Sequence, residues 1–128
     1  MNIIEVQTNI INSILALGYT NVKDNLLVGI TEKEVYPIVV VDLNFSETVM
    51  LASGGYTPNV HYLLVSVYQK VGIIGGTSQA REDSISALNV ILTGLHLNIL
   101  ENKIQYVDTV ISNIKVCGAG AIVEIGAY

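Results

Sequence analysis

The chain has 128 residues, of which 51% are hydrophobic and only 13% charged, with a net charge of −5 and a pI near 4.7. The length fits one domain over residues 1–128. The net negative charge argues against nucleic-acid binding, which needs a basic surface to neutralise phosphates. The charged fraction is about half of the roughly 25% typical of soluble domains. A domain this small buries only about two-thirds of its unfolded surface, so we expect other copies or partners to cover part of the apolar surplus.

The sequence lacks the features of a membrane or secreted protein. No apolar run approaches the roughly 18 residues that span a bilayer. The N-terminus shows an amphipathic pattern rather than a basic region followed by an apolar block, so we expect no signal peptide. Cys117 is the one cysteine, which excludes an intrachain disulfide and a thiolate metal cluster. These features predict a soluble, cytoplasmic protein that does not contact membranes.

The chain opens with the pattern of an amphipathic helix over residues 2–17. Its apolar residues recur at spacings of three and four, which is the period of one helical face: Ile3, Val6, Ile10, Ile14 and Leu17. Asn2 is placed to cap the first turn, and Gly18 stands where a left-handed residue ends a helix. A polar connection over residues 19–34 follows.

Two strands are predicted next. Ile38–Val41 is a run of four β-branched residues without alternation, which is typical of a strand covered on both faces. Residues 46–58 contain Ser53-Gly54-Gly55 and predict a loop. Residues 59–70 alternate, with Tyr62, Leu64, Ser66 and Tyr68 on one face of a strand and His61, Leu63, Val65 and Val67 on the other.

The second half of the chain repeats this order. Ser78 is predicted to cap a helix that runs to about Thr93, and two strand-like runs follow, Val107–Cys117 and Ala121–Tyr128, separated by Gly118 and Gly120 and able to pair as a hairpin. The order helix, two strands, helix, two strands predicts an α+β fold with a four-stranded, mostly antiparallel sheet and two helices packed on one face.

The candidate catalytic and ligand-binding residues lack the partner residues that catalysis or metal binding requires. Neither His61 nor His96 has a carboxylate or cysteine at metal-ligand spacing, and no histidine lies near Cys117 in the sequence. Gly72–Gly76 leads from a strand into a helix, as phosphate-binding loops do, but it lacks the lysine-serine/threonine ending and the three-glycine dinucleotide spacing. The sequence therefore predicts no catalytic residue, cofactor or metal, and we expect the protein not to be an enzyme.

The candidate interface residues are acidic or aromatic. Glu32, Glu34 and Glu47 belong to the densest acidic stretch, which is either a solvated loop or a rim that repels DNA or meets a basic partner. Tyr56 in the glycine-rich loop and Tyr128 at the C-terminus are the tyrosines that we expect to be most exposed. Tyrosine is favoured at interfaces because it combines a large apolar face with a polar tip.

The whole arrangement resembles the tail terminator proteins of long-tailed bacteriophages, which are also called neck or tail-completion proteins. The resemblance covers nearly the whole chain and is one of length, order and pattern. It rests on the opening helix, the tyrosine-proline-aliphatic start of the first strand, the second strand, the helix rich in alanine, isoleucine and leucine, and the last strand: Ile3–Leu17, Val35-Tyr36-Pro37-Ile38-Val39-Val40-Val41, Val60 to Tyr68, Ala80–Leu92 and Ile122-Val123-Glu124-Ile125.

The resemblance implies a structural virion protein that forms a hexameric ring. Such a ring caps the tail tube, ends its polymerisation and joins the tail to the head connector, while DNA passes through its lumen without specific binding. The implied partners are further copies of the chain, the tail tube protein and the head-completion or connector protein. The implied location is the tail or neck of the virion, and the host cytoplasm during assembly. Loops 23–34 and 46–58 are the candidate contact segments.

Two other functions remain open from the sequence. One is a small-molecule-binding regulatory domain of α+β type that uses the Gly72–Gly76 turn at a subunit interface. The other is a different phage ring component, such as a tube or connector subunit.

Overall fold

The computed structural model describes residues 2–25, 34–73, 75–111 and 113–126. These residues form two α-helices, six strands and one short 3-10 turn. They are α1 (Ile3–Ala16), β1 (Val22–Lys23), β2 (Ile38–Met50), β3 (Tyr56–Lys70), α2 (Gly76–Gly94), β4 (Asn98–Ile99), a short 3-10 turn (Leu100–Asn102), β5 (Gln105–Ile111) and β6 (Ile114–Gly126).

The strands form one six-stranded sheet in the order β1-β2-β3-β6-β4, and β5 also pairs with β6. β4 and β5 lie one after the other along the outer edge of β6, opposite residues 123–124 and 114–120. Every pair is antiparallel except β1 with β2. The α+β class and the mostly antiparallel sheet are therefore confirmed. The strand count of four is wrong because β1 and β4, each two residues long, are too short to leave a pattern in the sequence.

Both helices pack on one face of the sheet. The larger hydrophobic cluster joins Val6, Ile10 and Ile14 of α1 with Leu88, Ile91 and Leu92 of α2 and with alternate residues of the long strands. The opposite face carries a smaller cluster with no helical member: Ile38, Val40, Tyr68 and Val116, against which Tyr36 packs. All four residues of Ile38–Val41 are buried, which confirms that this segment is covered on both faces. The predicted faces of β3 are confirmed as well, since Leu63, Val65 and Val67 belong to the larger cluster and Tyr68 to the smaller.

The helix ends agree with the sequence for α1 but not for α2. The Asn2 side chain accepts a hydrogen bond from the Glu5 N–H at 2.9 Å, and Gly18 has a positive φ of 108° just past the helix. In contrast, α2 begins at Gly76, behind Gly75 with φ 83°. Ser78 therefore lies inside the first turn, and its prediction as the cap is wrong because two glycines reverse the chain before it.

The predicted loop over residues 46–58 is wrong, because most of it continues the two strands. β2 extends to Met50 and β3 starts at Tyr56, and a tight turn joins them, with the Leu51 N–H donating to the Gly55 carbonyl at 2.7 Å. Gly54 has φ +86° in this turn, a conformation that glycine adopts without strain. Pairing between the two strands, rather than burial, holds these polar residues in extended conformation.

The predicted break between the last two strands is also misplaced. Gly118 and Gly120 lie inside β6, and the chain turns near Asn113, which has φ 67°. The glycines are needed for close approach, because a Cβ at residue 118 would lie 2.5 Å from Cδ1 of Tyr68 and one at residue 120 would lie 2.9 Å from Cβ of Ser66. β5 and β6 do pair as a hairpin, as the sequence predicts.

Candidate partner-binding surface

Residues 43–60 form a two-stranded arm that extends from the packed part of the sheet. Within it, the helices no longer cover β2 and β3, and nearly every side chain is exposed or half-exposed. The exposed large apolar residues of the arm are Leu43, Phe45, Val49, Met50, Leu51 and Tyr56. The cross-strand neighbours Met50 and Tyr56 at the tip are 67% and 68% exposed. A surface this rich in apolar side chains is the kind that partners cover.

An aromatic stack joins the arm to the sheet on the helix-free face. The rings of Phe45 and Tyr62 are stacked with centroids 4.3 Å apart. The Tyr62 side chain is buried, and burial raises the pKa of its hydroxyl above the ordinary value, with a further increase from the carboxylates of Glu47 and Glu124 nearby. Both carboxylates therefore lie beside the stack and give this face a negative charge.

On the other face, a buried polar pair marks the base of the arm. Ser46 Oγ lies 2.8 Å from Nδ1 of His61, and the His61 side chain is buried. Its Nε2 has no hydrogen-bond partner among the described residues. This pair orients the arm against the sheet and has the features of a structural contact.

Among the described residues, the backbone groups on the outer edge of β2 have hydrogen-bond partners only as far as Leu43. The Val39 N–H donates to the Asn21 carbonyl at 2.9 Å, and the Val41 carbonyl accepts from Nε2 of Gln7 at 2.7 Å. The Leu43 N–H donates to Oδ1 of Asp42 at 2.8 Å. Beyond Leu43, β2 pairs only with β3 among the described residues. Among the residues that the structure describes, this half of the strand therefore has an open backbone edge.

The opposite border of the sheet is open as well. β5 pairs with β6 on one side and with no other described strand. It exposes Tyr106, Val107 and Val110. An ion pair between Arg81 of α2 and Asp108 ties the strand to the helix layer. The hydrogen bond from Arg81 holds the pKa of the Asp108 carboxyl below its ordinary value, and a hydrogen bond with Cys117 adds to this effect.

Of the residues predicted for the interface, the structure brings two together on the arm. Glu47 lies on β2 beside Tyr62, and Tyr56 lies at the arm tip. Glu34 is instead half-buried in an ion pair, with its Oε1 2.8 Å from Nζ of Lys23, so it is not a freely solvated rim carboxylate. Glu32 and Tyr128 lie outside the described residues. Phe45 and Met50 were not predicted from the sequence, because the run of buried strand residues ends at Val41. Thr48-Val49 and Tyr56-Thr57 around a glycine turn nevertheless carry the signal of a hairpin.

An apolar cleft of about 430 Å³ lies between α1, the end of α2 and the end of β6. Its lining includes Val6, Ile10, Leu95, Leu97 and Ile125. Within the segment Gly72–Gly76, a Cβ atom added at Gly75 would lie 2.5 Å from Cβ of Gln79. Gly75 is therefore already packed against the first turn of α2.

His96 is exposed in the turn after α2, and Cys117 is buried, where desolvation raises the pKa of its thiol. Within residues 2–25, 34–73, 75–111 and 113–126, no three metal-ligating side chains come together. None of the helices described has both the length and the apolar character to cross a membrane. No protein-family model matches the sequence, and no curated protein matches it.

Proposed function

We propose that this chain is a structural virion protein that assembles into a ring, caps a phage tail tube and joins the tail to the head connector. The observation that carries the proposal is the exposed apolar arm over residues 43–60. A monomer gains nothing from exposing Phe45, Met50 and Tyr56 on a projecting hairpin. An assembly subunit, however, can bury them against a neighbour or the end of a tube.

The charge distribution supports a passage for DNA. Asp42, Glu47 and Glu124 fall on the helix-free face by strand register. Among the described strands, register places two basic side chains on the same face, Lys70 and Lys23, and Lys23 is paired with Glu34. If the helices face outward in the ring, this acidic face lines the lumen. Acidic walls repel phosphates, so DNA can pass without being held.

The cleft between α1 and β6 favours a second candidate function, a regulatory domain that binds a small apolar molecule. Its volume and apolar lining suit such a ligand. Native mass spectrometry of protein purified from the host would detect a retained small molecule. A stable dimer that changes on adding metabolites would favour this candidate over the ring.

The capping function is tested by assembling tails with and without the protein. We expect tails of uniform length that join heads when the protein is present, and overlong tubes without heads when it is absent. Electron microscopy measures both. Tails of unchanged length that still join heads would contradict the proposal. Shortened or absent tails would instead identify a tube or connector subunit.

A further inference from the structure

In the part of the chain that the structure describes, two strand edges lack a neighbouring strand, and they lie on opposite borders of the same sheet. One is the outer edge of β2 over residues 44–50, which we call the arm edge, and the other is the outer edge of β5. Each stretch is seven residues long. Proteins usually protect such edges with proline, lysine or a covering segment, and neither stretch contains proline or lysine. Both are therefore suited to pair with another chain.

The backbone groups of both edges can be assigned from the register. The Val71 N–H donates to the Lys115 carbonyl, so the odd residues of β6 point their backbone groups toward β3 and the even ones toward β5. In β5 the even residues then point outward: Tyr106, Asp108 and Val110. The register of β2 with β3 shifts after Leu43 and again after Glu47. Because the Leu51 N–H donates to the Gly55 carbonyl across the hairpin, the odd residues at the end of β2 point inward, and Ser46, Thr48 and Met50 of the arm edge point outward. Each edge therefore has three alternate residues whose backbone groups point outward.

The residue types of the two edges also match. The arm edge reads Asn-Phe-Ser-Glu-Thr-Val-Met and β5 reads Gln-Tyr-Val-Asp-Thr-Val-Ile. Each has an amide, an aromatic residue, a carboxylate and a threonine-valine pair in the same positions, and both are rich in strand-forming residues. Phe45 and Val49 on one edge, and Tyr106 and Val110 on the other, supply exposed apolar surface for a neighbour to cover.

Strand direction decides how two copies fit. β2 and β6 run the same way, because each is antiparallel to β3, and β5 is antiparallel to β6. A copy placed beside the arm edge in the same orientation therefore presents β5 antiparallel to β2. The helices of both copies then remain on the same side of one continuous sheet. Such a head-to-tail contact uses two different surfaces and repeats until the ring closes.

We propose that the arm edge of one copy pairs antiparallel with β5 of the next copy, and that this strand pairing is the contact that builds the ring. This inference rests on the proposed function and adds the surface through which the copies meet. β5 lies opposite residues 114–120 of β6, whereas the arm edge lies level with the far end of β6, near Glu124. Successive copies therefore step along the strand direction, which tilts the strands as closure of a barrel-like ring requires.

Proline substitutions at outward-pointing residues test this pairing selectively. Thr48→Pro and Val110→Pro each remove one outward N–H donor and leave the internal ladder intact, because proline is tolerated at the solvent side of an edge strand. Thr48→Ala and Val110→Ala are the matched controls, since they shorten the same side chains and keep the N–H. Circular dichroism and thermal melting establish that each variant is folded.

We expect each proline variant alone to be a folded monomer by native mass spectrometry, while the wild type and both alanine controls form rings. An equimolar mixture of the two proline variants should form one-to-one dimers, because each variant retains the edge that the other has lost. A head-to-tail interface gives this result, and a symmetric one does not.

Several outcomes would overturn the strand pairing. They are a wild type that stays monomeric, rings formed by a folded proline variant, homodimers of Thr48→Pro, which would show β5 pairing with itself, or a mixture that remains monomeric. If rings persist in the proline variants and tail length is still controlled, the pairing fails and the capping function stands. If the mixture dimerises but tail length is unaffected by the protein, the pairing stands and the capping function fails.

Discussion

The ring of Tyr68 on β3 lies directly over Gly118 on β6, on the helix-free face of the sheet. A Cβ atom at residue 118 would stand 2.5 Å from Cδ1 and 2.7 Å from Cε1 of that ring, and 3.2 Å from the Val67 carbonyl oxygen. Tyr68 is buried by this arrangement and forms part of the smaller hydrophobic cluster. The glycine therefore provides the space that lets a large aromatic side chain lie flat on the sheet.

Gly118→Ala is expected to destabilise the fold by about 1–3 kcal/mol, the usual cost of forcing an extra methyl group into a packed core. Urea unfolding measures this change. In a Tyr68→Ala background the added cost of Gly118→Ala should largely disappear, since the clashing ring is gone. Gly55→Ala is the control, because its nearest neighbour would be Oγ of Ser53 at 4.0 Å. Equal losses for the two single alanine variants would show that the ring does not set the requirement.

Gln7 links α1 to the edge of β2, and its removal should leave a buried carbonyl without a donor. Its Nε2 lies 2.7 Å from the Val41 carbonyl oxygen and 3.3 Å from that of Asp24. Gln7→Leu keeps the volume but loses both hydrogen bonds, so we expect a loss of about 1–3 kcal/mol in unfolding free energy. Thr8→Leu, on the exposed face of the same helix, should change stability little. An unchanged urea midpoint for Gln7→Leu would contradict this role.

The Arg81–Asp108 ion pair predicts a pH dependence of stability. The pKa of Asp108 is lowered in the fold, first by the hydrogen bond from Arg81. Because the pKa of Asp108 is lower in the fold, its carboxylate contributes fully to the free energy of unfolding above the unfolded-state pKa of about 3.9. This contribution is lost as the pH falls through the pKa of the folded state. The stability difference between wild type and Asp108→Asn should therefore be constant near neutral pH and shrink below about pH 4.

Thermal melting between neutral and acid pH measures this difference. Both side chains are about half exposed, so the effect should be small. Glu82→Gln is the control, because Glu82 is exposed and outside the ion pairs of the described residues. A stability difference for Asp108→Asn that persists unchanged at acid pH would exclude the ion pair as its source.

The packed half of the fold could be predicted from the sequence because its signals are local. Residues 38–41 and the alternation of β3 carry the patterns of buried strands, and the spacing of Val6, Ile10 and Ile14 that of a helical face. The arm could not be recognised in the same way. Its strands are exposed on both faces and contain mixed residues, so pairing with each other holds them rather than burial, and pairing is a long-range property.

The glycines of β6 show a second reason why local sequence does not predict the whole fold. Gly118 and Gly120 predict a break from their own preferences. Their role depends on Tyr68 and Ser66, which are about fifty residues earlier in the sequence. The candidate residues differ in the same way. The exposure of Tyr56 was predicted from its place in a glycine-rich turn. The ion pair of Glu34 with Lys23 could not be predicted, because no local pattern indicates the path of the chain between them.

Substitutions at the arm tip are expected to impair assembly without changing the stability of the fold. Met50 and Tyr56 are cross-strand neighbours and are largely exposed. Substituting both with serine should change the unfolding free energy by no more than about 0.5 kcal/mol, as is usual for exposed positions. If the tip contacts the tube or the connector, however, the loss of a large tyrosine and a methionine should abolish docking, because such side chains supply most of the energy of an interface.

Complementation measures this effect directly. Extracts that contain tails and heads but lack the protein are supplied with the double variant Met50→Ser/Tyr56→Ser, with Val90→Ser or with the wild type, and the yield of joined particles is counted by electron microscopy. Val90 is 55% exposed on α2, so its variant removes exposed apolar surface away from the arm and should complement fully. A folded double variant that joins heads to tails as well as the wild type does would show that the arm tip is not a docking surface. Because the two substitutions lie outside the residues that hold the fold together, their failure to complement would assign the loss to a missing contact with a neighbouring copy, the tube or the connector.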